Sequence, residues 1–258
     1  MDLGLTNKKV VVTGGSKGIG LAIARAFAEE GADVVIAGRD AQTLDAAAEA
    51  LRETGRAITP FVADLSGGAE RERLFSAHGD ADILVNNAGA IPAGDISAMT
   101  MEAWRAGWEL KVWGYIHLCK LFVGAMAGRR AGTIVNIIGM GGRAVRPGYI
   151  AGASGNAALI GFTQALGAGT PKDNVRVFGI NPSATLTDRI QTMARVWASE
   201  KFGDAERWEE VLDQSKMPFG RIKRPDEVGA LAAMLCAPQV HYLSGTVIDL
   251  DGGGQWAG

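Results

Sequence analysis

The chain has 258 residues, with 36 glycines, 8 prolines and a formal net charge of −2. Hydrophobic residues make up 47% and charged residues 21%, which predicts a soluble, compact protein with a large buried core. The near-neutral charge argues against nucleic-acid binding, which normally needs a basic surface, and the glycines follow no three-residue period that would indicate collagen. Glycine must therefore serve local backbone needs.

The cysteines and the N-terminus bear on location. Cys119 and Cys236 lie in segments with helical periodicity and share no metal-ligand spacing, so neither a disulfide framework nor a metal site is predicted. The first residues lack the basic stretch and apolar core of a signal peptide, and no apolar run approaches the ~20 residues that span a bilayer. We expect a cytoplasmic protein that uses neither membrane nor nucleic acid.

Short apolar runs rich in β-branched residues alternate with segments of helical periodicity along most of the chain. About seven strands are predicted, at 10–12, 34–36, 58–62, 83–85, 133–138, 175–180 and 247–248, with an alanine-rich helix at 41–54. Continuous apolar strands separated by helices indicate a parallel sheet with helices on both faces, a Rossmann-like doubly wound α/β fold. No repeat or linker divides the chain, so residues 1–258 are expected to form one domain.

Residues 186–222 interrupt this alternation, because they contain several aromatic and methionine side chains but no strand. An inserted helical pair late in a doubly wound fold often forms a lid over the substrate cleft. The same pattern also suits an amphipathic pair packed against a neighbouring subunit. Both interpretations remain open at this stage.

The most informative motif is Thr13-Gly14-Gly15-Ser16-Lys17-Gly18-Ile19-Gly20, between the first strand and the first helix. Glycines there permit a tight turn and let backbone N–H groups approach a pyrophosphate, whose charge the helix N-terminus favours. Because the strand and the helix are both in place, the motif predicts a dinucleotide site.

Other motifs extend this to a family resemblance. Asp64 follows the third strand, Asn86-Asn87-Ala88-Gly89 follows the fourth, Asn181-Pro182 follows the sixth, and Asp251-Gly252-Gly253 lies near the end. Over about residues 6–254 the chain resembles the short-chain dehydrogenase/reductase family, which implies a nicotinamide cofactor, a small-molecule substrate and a homodimer or homotetramer. The resemblance assigns cofactor contacts to Gly14, Ser16, Lys17, Gly18, Ile19, Gly20, Arg39, Asp64, Leu65, Asn87, Ala88, Gly89, Asn156, Pro182 and Thr187.

Charge near the second strand bears on the choice of cofactor. NAD-dependent relatives usually carry an acidic residue at the end of this strand to hold the ribose 2′-hydroxyl. Here the position reads Gly38-Arg39, and Lys17 lies in the glycine loop. Two cations suit a 2′-phosphate, so NADP(H) is favoured over NAD(H). Lys17 and Arg39 could instead both be solvated surface charges.

The family normally works with an asparagine, a serine, a tyrosine and a lysine. In the register set by the fifth strand and the helix after it, Gly139 stands at the serine position, Gly152 at the tyrosine and Asn156 at the lysine. Lys111 stands at the asparagine position. The resemblance therefore implies a divergent member that lacks all four groups.

Two residues are candidates to replace the missing chemistry. A desolvated Lys111 would have a lowered pKa and could donate a proton, stabilise an oxyanion or form a Schiff base. Tyr149, three residues before Gly152, could border the cleft or simply pack there. Arg143 and Arg146 could clamp an anionic substrate or be solvated loop charges.

Three functions are compatible with these residues. The first is an NADP(H)-dependent oxidoreductase acting on a carbonyl or alcohol, with Lys111 as proton donor helped by Tyr149 or water. The second is a non-redox lyase or dehydratase that uses Lys111. The third is a catalytically silent NADP-binding protein.

Overall fold

The structure is a computed structural model that describes residues 2–89 and 91–256. Its strands are β1 (Lys9–Thr13), β2 (Asp33–Gly38), β3 (Ile58–Val62), β4 (Ile83–Asn86), β5 (Gly132–Ile137), β6 (Val175–Pro182) and β7 (Val247–Leu250). Its α-helices are α1 (Gly18–Glu29), α2 (Ala41–Arg52), α3 (Gly68–His78), α4 (Met101–Trp108), α5 (Gly114–Gly128), α6 (Ile150–Gly169), α7 (Asp188–Phe202), α8 (Trp208–Val211) and α9 (Pro225–Cys236).

The strands form one parallel sheet in the order β3-β2-β1-β4-β5-β6-β7. The chain winds outward from β1 to β3 and then crosses back to β4, which places the topological switch between β1 and β4. In such folds, ligands bind beyond the carboxyl ends of the strands at this switch. The predicted doubly wound α/β fold is confirmed, with shifts of one or two residues at several element ends.

The core lies on both faces of the sheet. On one face, α1 and α2 cover β1 and β2, and α9 packs against α1, with Phe27, Leu44 and Val228 fully buried. On the other face, α3, α5 and α6 cover the sheet around Leu74 and Phe122. The sheet is therefore enclosed, and the strand ends are the open edge where a site can form.

The helix pair α4 and α5 is one continuous helix with a wide π-helical turn at Glu109–Trp113. The amide of Gly114 reaches back five residues to the Glu109 carbonyl, which also accepts a bond of 3.1 Å from the buried Arg71 guanidinium. Arg71 additionally pairs with the Glu109 carboxylate. This pairing holds the wide turn, and Lys111 lies at its centre.

Residues 186–222 form α7, α8 and several short turns. They have a small apolar cluster of their own around Ala194, Leu212 and Ile222. The backbone of Leu186 bonds to that of Lys223, which returns the chain to the sheet edge. Within residues 2–89 and 91–256, no helix is long and apolar enough to cross a membrane.

Candidate active site

The glycine loop after β1 has the backbone that its sequence predicts. Gly14 and Gly18 adopt left-handed φ values of +66° and +57°. A Cβ at Gly20 would lie 2.0 Å from the Gly14 carbonyl oxygen, so this close crossing of loop and helix requires glycine. Among the described residues, no side chain caps the N-terminus of α1 and no acidic residue lies in its first turn. The amide cradle therefore fits the pyrophosphate of a dinucleotide.

A second set of bonds ties this loop to the segment after β4. The Thr13 hydroxyl accepts bonds from the amides of Asn87 and Ala88, at 2.9 and 3.0 Å. The Asn87 side-chain amide in turn donates to the carbonyls of Thr13 and Gly14, at 3.0 and 3.2 Å. Asn87 thus uses its amide hydrogens to hold the cradle in shape.

The two cations that were expected to select NADP(H) lie on the protein surface near aspartate side chains. Lys17 and Arg39 are exposed. Asp40, whose pKa is lowered mainly by its bonds to Thr43, is also influenced by the charge of Lys17. Asp64 has its pKa lowered by hydrogen bonds from Ser66 and, to a smaller extent, by Arg39. Lys17 and Arg39 thus lie near the end of β2, and each already has a carboxylate nearby.

The other residues assigned to cofactor contacts lie along the same carboxyl edge of the sheet. Thr187 caps α7, accepting a bond of 3.4 Å from the Ile190 amide, and its methyl group would lie 3.2 Å from a Cβ on Gly18. The residue therefore joins the insertion to the glycine loop. Leu65 and Pro182 are buried, and Ser16, Ile19, Ala88 and Gly89 are partly exposed.

Lys111 reaches the carboxyl end of β5. Its Nζ donates to the carbonyl oxygens of Ile137 and Ile138, at 3.1 and 2.8 Å, directly before Gly139. Its aliphatic stem crosses Gly89, where a Cβ would lie 2.5 Å from the Lys111 Cδ. The buried hydroxyl of Tyr115 also donates to the Ile137 carbonyl, at 2.9 Å. The side chain of Lys111 thus lies at the sheet edge, not on the protein surface.

Electrostatics set Lys111 apart from an ordinary lysine. Burial lowers its pKa from 10.5 to about 7, and the positive charge of Arg189 contributes to the same shift. An ammonium has three N–H donors, and the two backbone carbonyls accept two of them. At neutral pH the group can therefore hold a proton, present it to a third partner and give it up.

Lys111 should also destabilise the fold in a pH-dependent way. Between the folded pKa near 7 and the ordinary value of 10.5, the unfolded chain binds more protons, so the lysine's contribution to stability rises with pH. Replacing Lys111 by methionine removes this dependence. The stability of Lys111→Met relative to wild type should therefore fall by about 3 kcal/mol between about pH 7 and about pH 9.5.

Urea unfolding at several pH values measures this difference. Lys120→Met, on the exposed side of α5, is the matched control, and its stability relative to wild type should stay constant. A Lys111→Met difference that is equally flat would show that the lysine titrates as a solvated group.

The glycines at the expected serine and tyrosine positions lie beside Asn156 and Tyr149. Gly139 has a φ of +125°, a conformation that strains any side chain, and a Cβ there would lie 3.3 Å from the Asn156 Nδ2. A Cβ at Gly152 would lie only 1.9 Å from the Tyr149 Cζ. The ring of Tyr149 therefore occupies the space that a side chain at position 152 would need.

Tyr149 precedes the first turn of α6 and caps it with a non-helical backbone. Its ring also lies 3.1 Å from the Cβ position of Gly141, so it fills the gap between the loop after β5 and α6. Burial raises its pKa above 10.0, although the charge of Arg189 partly offsets this. The hydroxyl remains protonated at neutral pH and can donate a hydrogen bond.

Asn156 is buried, yet its Oδ1 has no hydrogen-bond partner among the described residues. Its Nδ2 points to the Gly139 carbonyl at 3.5 Å. A buried acceptor without a partner is costly, which indicates a donor from a bound molecule. The hydroxyls of a cofactor ribose are such donors, so this position fits its assigned role.

Arg189, which the sequence interpretation did not select, lies in the first turn of α7. Its guanidinium donates to the carbonyls of Gly89 and Ile91 in the segment after β4, at 3.5 and 3.2 Å. Its charge acts on both Lys111 and Tyr149. The only sequence signal was its position at the start of the insertion.

The two loop arginines differ from each other. Arg143 pairs with Asp249 at 2.9 Å, and Asp249 also accepts bonds from Asn181 and Gln255. This network joins the loop after β5 to β6 and β7. Arg146 is exposed.

Comparison with known proteins places this geometry in a family. The sequence model described as short chain dehydrogenase matches residues 8–196. The chain is 32% identical over 254 residues to the 3-oxoacyl-acyl-carrier-protein reductase FabG of Chlamydia trachomatis, covering 96% of this chain and 98% of that protein. It is also 32% identical over 259 residues to the D-beta-hydroxybutyrate dehydrogenase of Cupriavidus necator, with the same coverage.

A solved structure agrees. The L-sorbose reductase of Gluconobacter frateurii, complexed with NADPH and L-sorbose, superposes with a TM-score of 0.92 over 100% of both chains at 32% identity. The actinorhodin polyketide ketoreductase variant with NADPH superposes with a TM-score of 0.90 at 27% identity, covering 96% of this chain and 97% of that chain. The chain belongs to the short-chain dehydrogenase family.

Proposed function

We propose that this protein is an NADP(H)-dependent reductase of a small carbonyl compound, or a dehydrogenase of the corresponding alcohol, in which Lys111 replaces the family's usual proton donor. Membership of the family makes it an oxidoreductase of the short-chain dehydrogenase type. The observation that carries the finer proposal is the placement of the Lys111 Nζ at the end of β5, with a pKa of about 7. The family's own four groups are absent from the positions that the register assigns to them.

Each residue has a distinct part in this proposal. The cofactor, when bound, supplies the hydride, so the protein must manage the proton. The glycine cradle would hold the pyrophosphate, and the unpartnered Asn156 Oδ1 would accept a bond from a hydroxyl of the nicotinamide ribose. Tyr149 orients the carbonyl with its hydroxyl. Lys111 keeps two N–H groups on the β5 carbonyls and gives the third proton to the developing alkoxide.

The proposal extends to the rest of the chain. Residues 1–258 form one NADP-binding domain, with 186–222 as a lid whose α7 reaches the segment after β4 through Arg189. By family resemblance we further propose a cytoplasmic homodimer or homotetramer.

One observation favours a second function. A lysine with a pKa near 7 is partly neutral at physiological pH and can attack a carbonyl to form a Schiff base. A non-redox lyase or dehydratase would use Lys111 in this way. Two experiments separate the functions. In the first, NADPH oxidation is measured with a panel of carbonyl compounds, and in the second, borohydride is used to trap a covalent adduct between substrate and lysine. Turnover of NADPH without a trapped adduct supports the reductase, and a trapped Lys111 adduct without NADPH oxidation supports the lyase.

The preference for NADP(H) predicts a specific effect at Arg39. Arg39→Ala should weaken NADPH binding by about 10-fold, the cost of one charge-assisted contact, while NADH binding stays within about twofold. Fluorescence titration with both cofactors measures the ratio. Arg52→Ala, an exposed arginine at the end of α2, is the control. Equal loss for both cofactors would overturn the assignment of a 2′-phosphate contact.

The position of Tyr149 can be tested through Gly152. The Cβ added in Gly152→Ala collides with the ring, so this variant should lower kcat/KM by about 10-fold, the same loss as in Tyr149→Phe. NADPH affinity should be retained in Tyr149→Phe. Wild-type kinetics in Tyr149→Phe would show that the ring only fills space.

A further inference from the structure

The site contains two cations close together. Lys111 and Arg189 flank Gly89: the lysine stem packs across its Cα side, and the guanidinium bonds to its carbonyl oxygen at 3.5 Å. Lys111 comes from the wide turn between α4 and α5, and Arg189 comes from the insertion. Two separate elements therefore bring positive charge to the segment that follows β4.

No carboxylate balances this charge. Within residues 2–89 and 91–256, neither Lys111 nor Arg189 forms an ion pair, and Asp188, the neighbour of Arg189 in the chain, makes none with it. In the described part of the chain, Arg189 is the one charged group that shifts the pKa of Lys111, and this interaction is repulsive. Like charges held together at this edge of the sheet favour an anion that binds between them.

The guanidinium is suited to receive such an anion. It has five N–H donors, and the carbonyls of Gly89 and Ile91 engage one hydrogen on each terminal nitrogen. Arg189 is exposed, so its remaining donors are open to solvent. The planar fork of arginine binds a carboxylate through two parallel bonds.

The same edge carries Gly139, Gly141 and Gly152, and the ring of Tyr149 packs over the last two. A short molecule held at Arg189 by one end extends toward Lys111 and Tyr149.

We infer that the substrate is a small keto acid, or the matching hydroxy acid, whose carboxylate is bound by Arg189 while its carbonyl faces Lys111. This inference rests on the proposed function, because it names the substrate class of that same site. It assigns Arg189 as a specificity-determining residue, which neither the family motifs nor the register select.

Matched pairs of ligands test the inference. Pyruvate and acetoacetate are compared with their methyl esters, which keep the carbonyl and remove the charge. Binding to the protein saturated with NADP⁺ is measured by calorimetry, and NADPH oxidation is measured separately. Each keto acid should bind about 10- to 100-fold more tightly than its ester in the wild type. In Arg189→Met this ratio should fall to about one, with Arg189→Lys intermediate because it keeps the charge and loses the fork.

Arg195→Met is the matched control, since Arg195 lies on the same helix and pairs with Glu206 instead. It should leave the acid-to-ester ratio unchanged, which a general disturbance of α7 would not. Equal binding of acid and ester by the wild type would overturn the inference, as would preferential binding of dihydroxyacetone phosphate over both keto acids.

The binding arm keeps this inference distinct from the proposed function. Keto acids bound in an Arg189-dependent way without NADPH oxidation would support the inference and contradict the reductase. NADPH oxidation with the esters and no preference for the acids would support the reductase and contradict the keto-acid inference.

Discussion

Lys111→Met should lower the kcat of carbonyl reduction by about 10²- to 10⁴-fold, the usual contribution of a positioned general acid. The methionine fills the same space across Gly89 but has no proton to give, so the glycine cradle and NADPH affinity should be unaffected. Steady-state kinetics with a fluorescence titration of NADPH separate the two effects. Lys120→Met is the control on the same continuous helix and should retain full activity.

The pH profile sharpens this expectation. Lys111 must be protonated to act as an acid, and its pKa is about 7, so kcat for reduction should fall as the pH rises through that value. Oxidation of the alcohol needs the neutral amine and should show the opposite trend. Full activity in Lys111→Met at any pH would remove the lysine from the mechanism.

Gly20→Ala should give the second large effect, at the cofactor end. Its Cβ would lie 2.0 Å from the Gly14 carbonyl oxygen and 2.5 Å from the Asn87 Nδ2, so both loops of the cradle must shift. Overpacking of this kind costs about 1–3 kcal/mol, and each 1.4 kcal/mol corresponds to a tenfold change in affinity. NADPH binding should therefore weaken by about 10- to 100-fold.

Gly161→Ala provides the comparison, because nothing lies within 4 Å of its Cβ position on α6. It should leave NADPH binding intact and stabilise the protein by about 0.5–1 kcal/mol through lower chain entropy in the unfolded state. If Gly20→Ala binds NADPH like the wild type, the close crossing of loop and helix is not what forms the site.

The sheet and the glycine cradle were predictable because they depend on local sequence. The run at 58–62 forms β3 with the predicted bounds, and β5 is shifted by one residue. The left-handed turns at Gly14 and Gly18 follow from the need for close approach of backbone to ligand. Parallel packing then fixes the edge where the site must lie.

The details of the catalytic end were not predictable in the same way. Tyr149 lies over Gly152 because the loop before α6 turns its ring inward, and sequence spacing carries no such information. The wide turn around Lys111 depends on a long-range contact with Arg71. Arg189 reaches the site only because the insertion folds back to the segment after β4. Whether Lys111, Tyr149 and the cofactor contacts act as assigned remains a prediction.

Transfer of deuterium from C4-deuterated NADPH to a carbonyl substrate, followed across pH, is the decisive test of hydride transfer assisted by Lys111. We expect deuterium in the product alcohol, with a rate that declines above about pH 7 in the wild type and loses this decline in Lys111→Met. Unlabelled product, or a pH profile that is the same with and without Lys111, would contradict it.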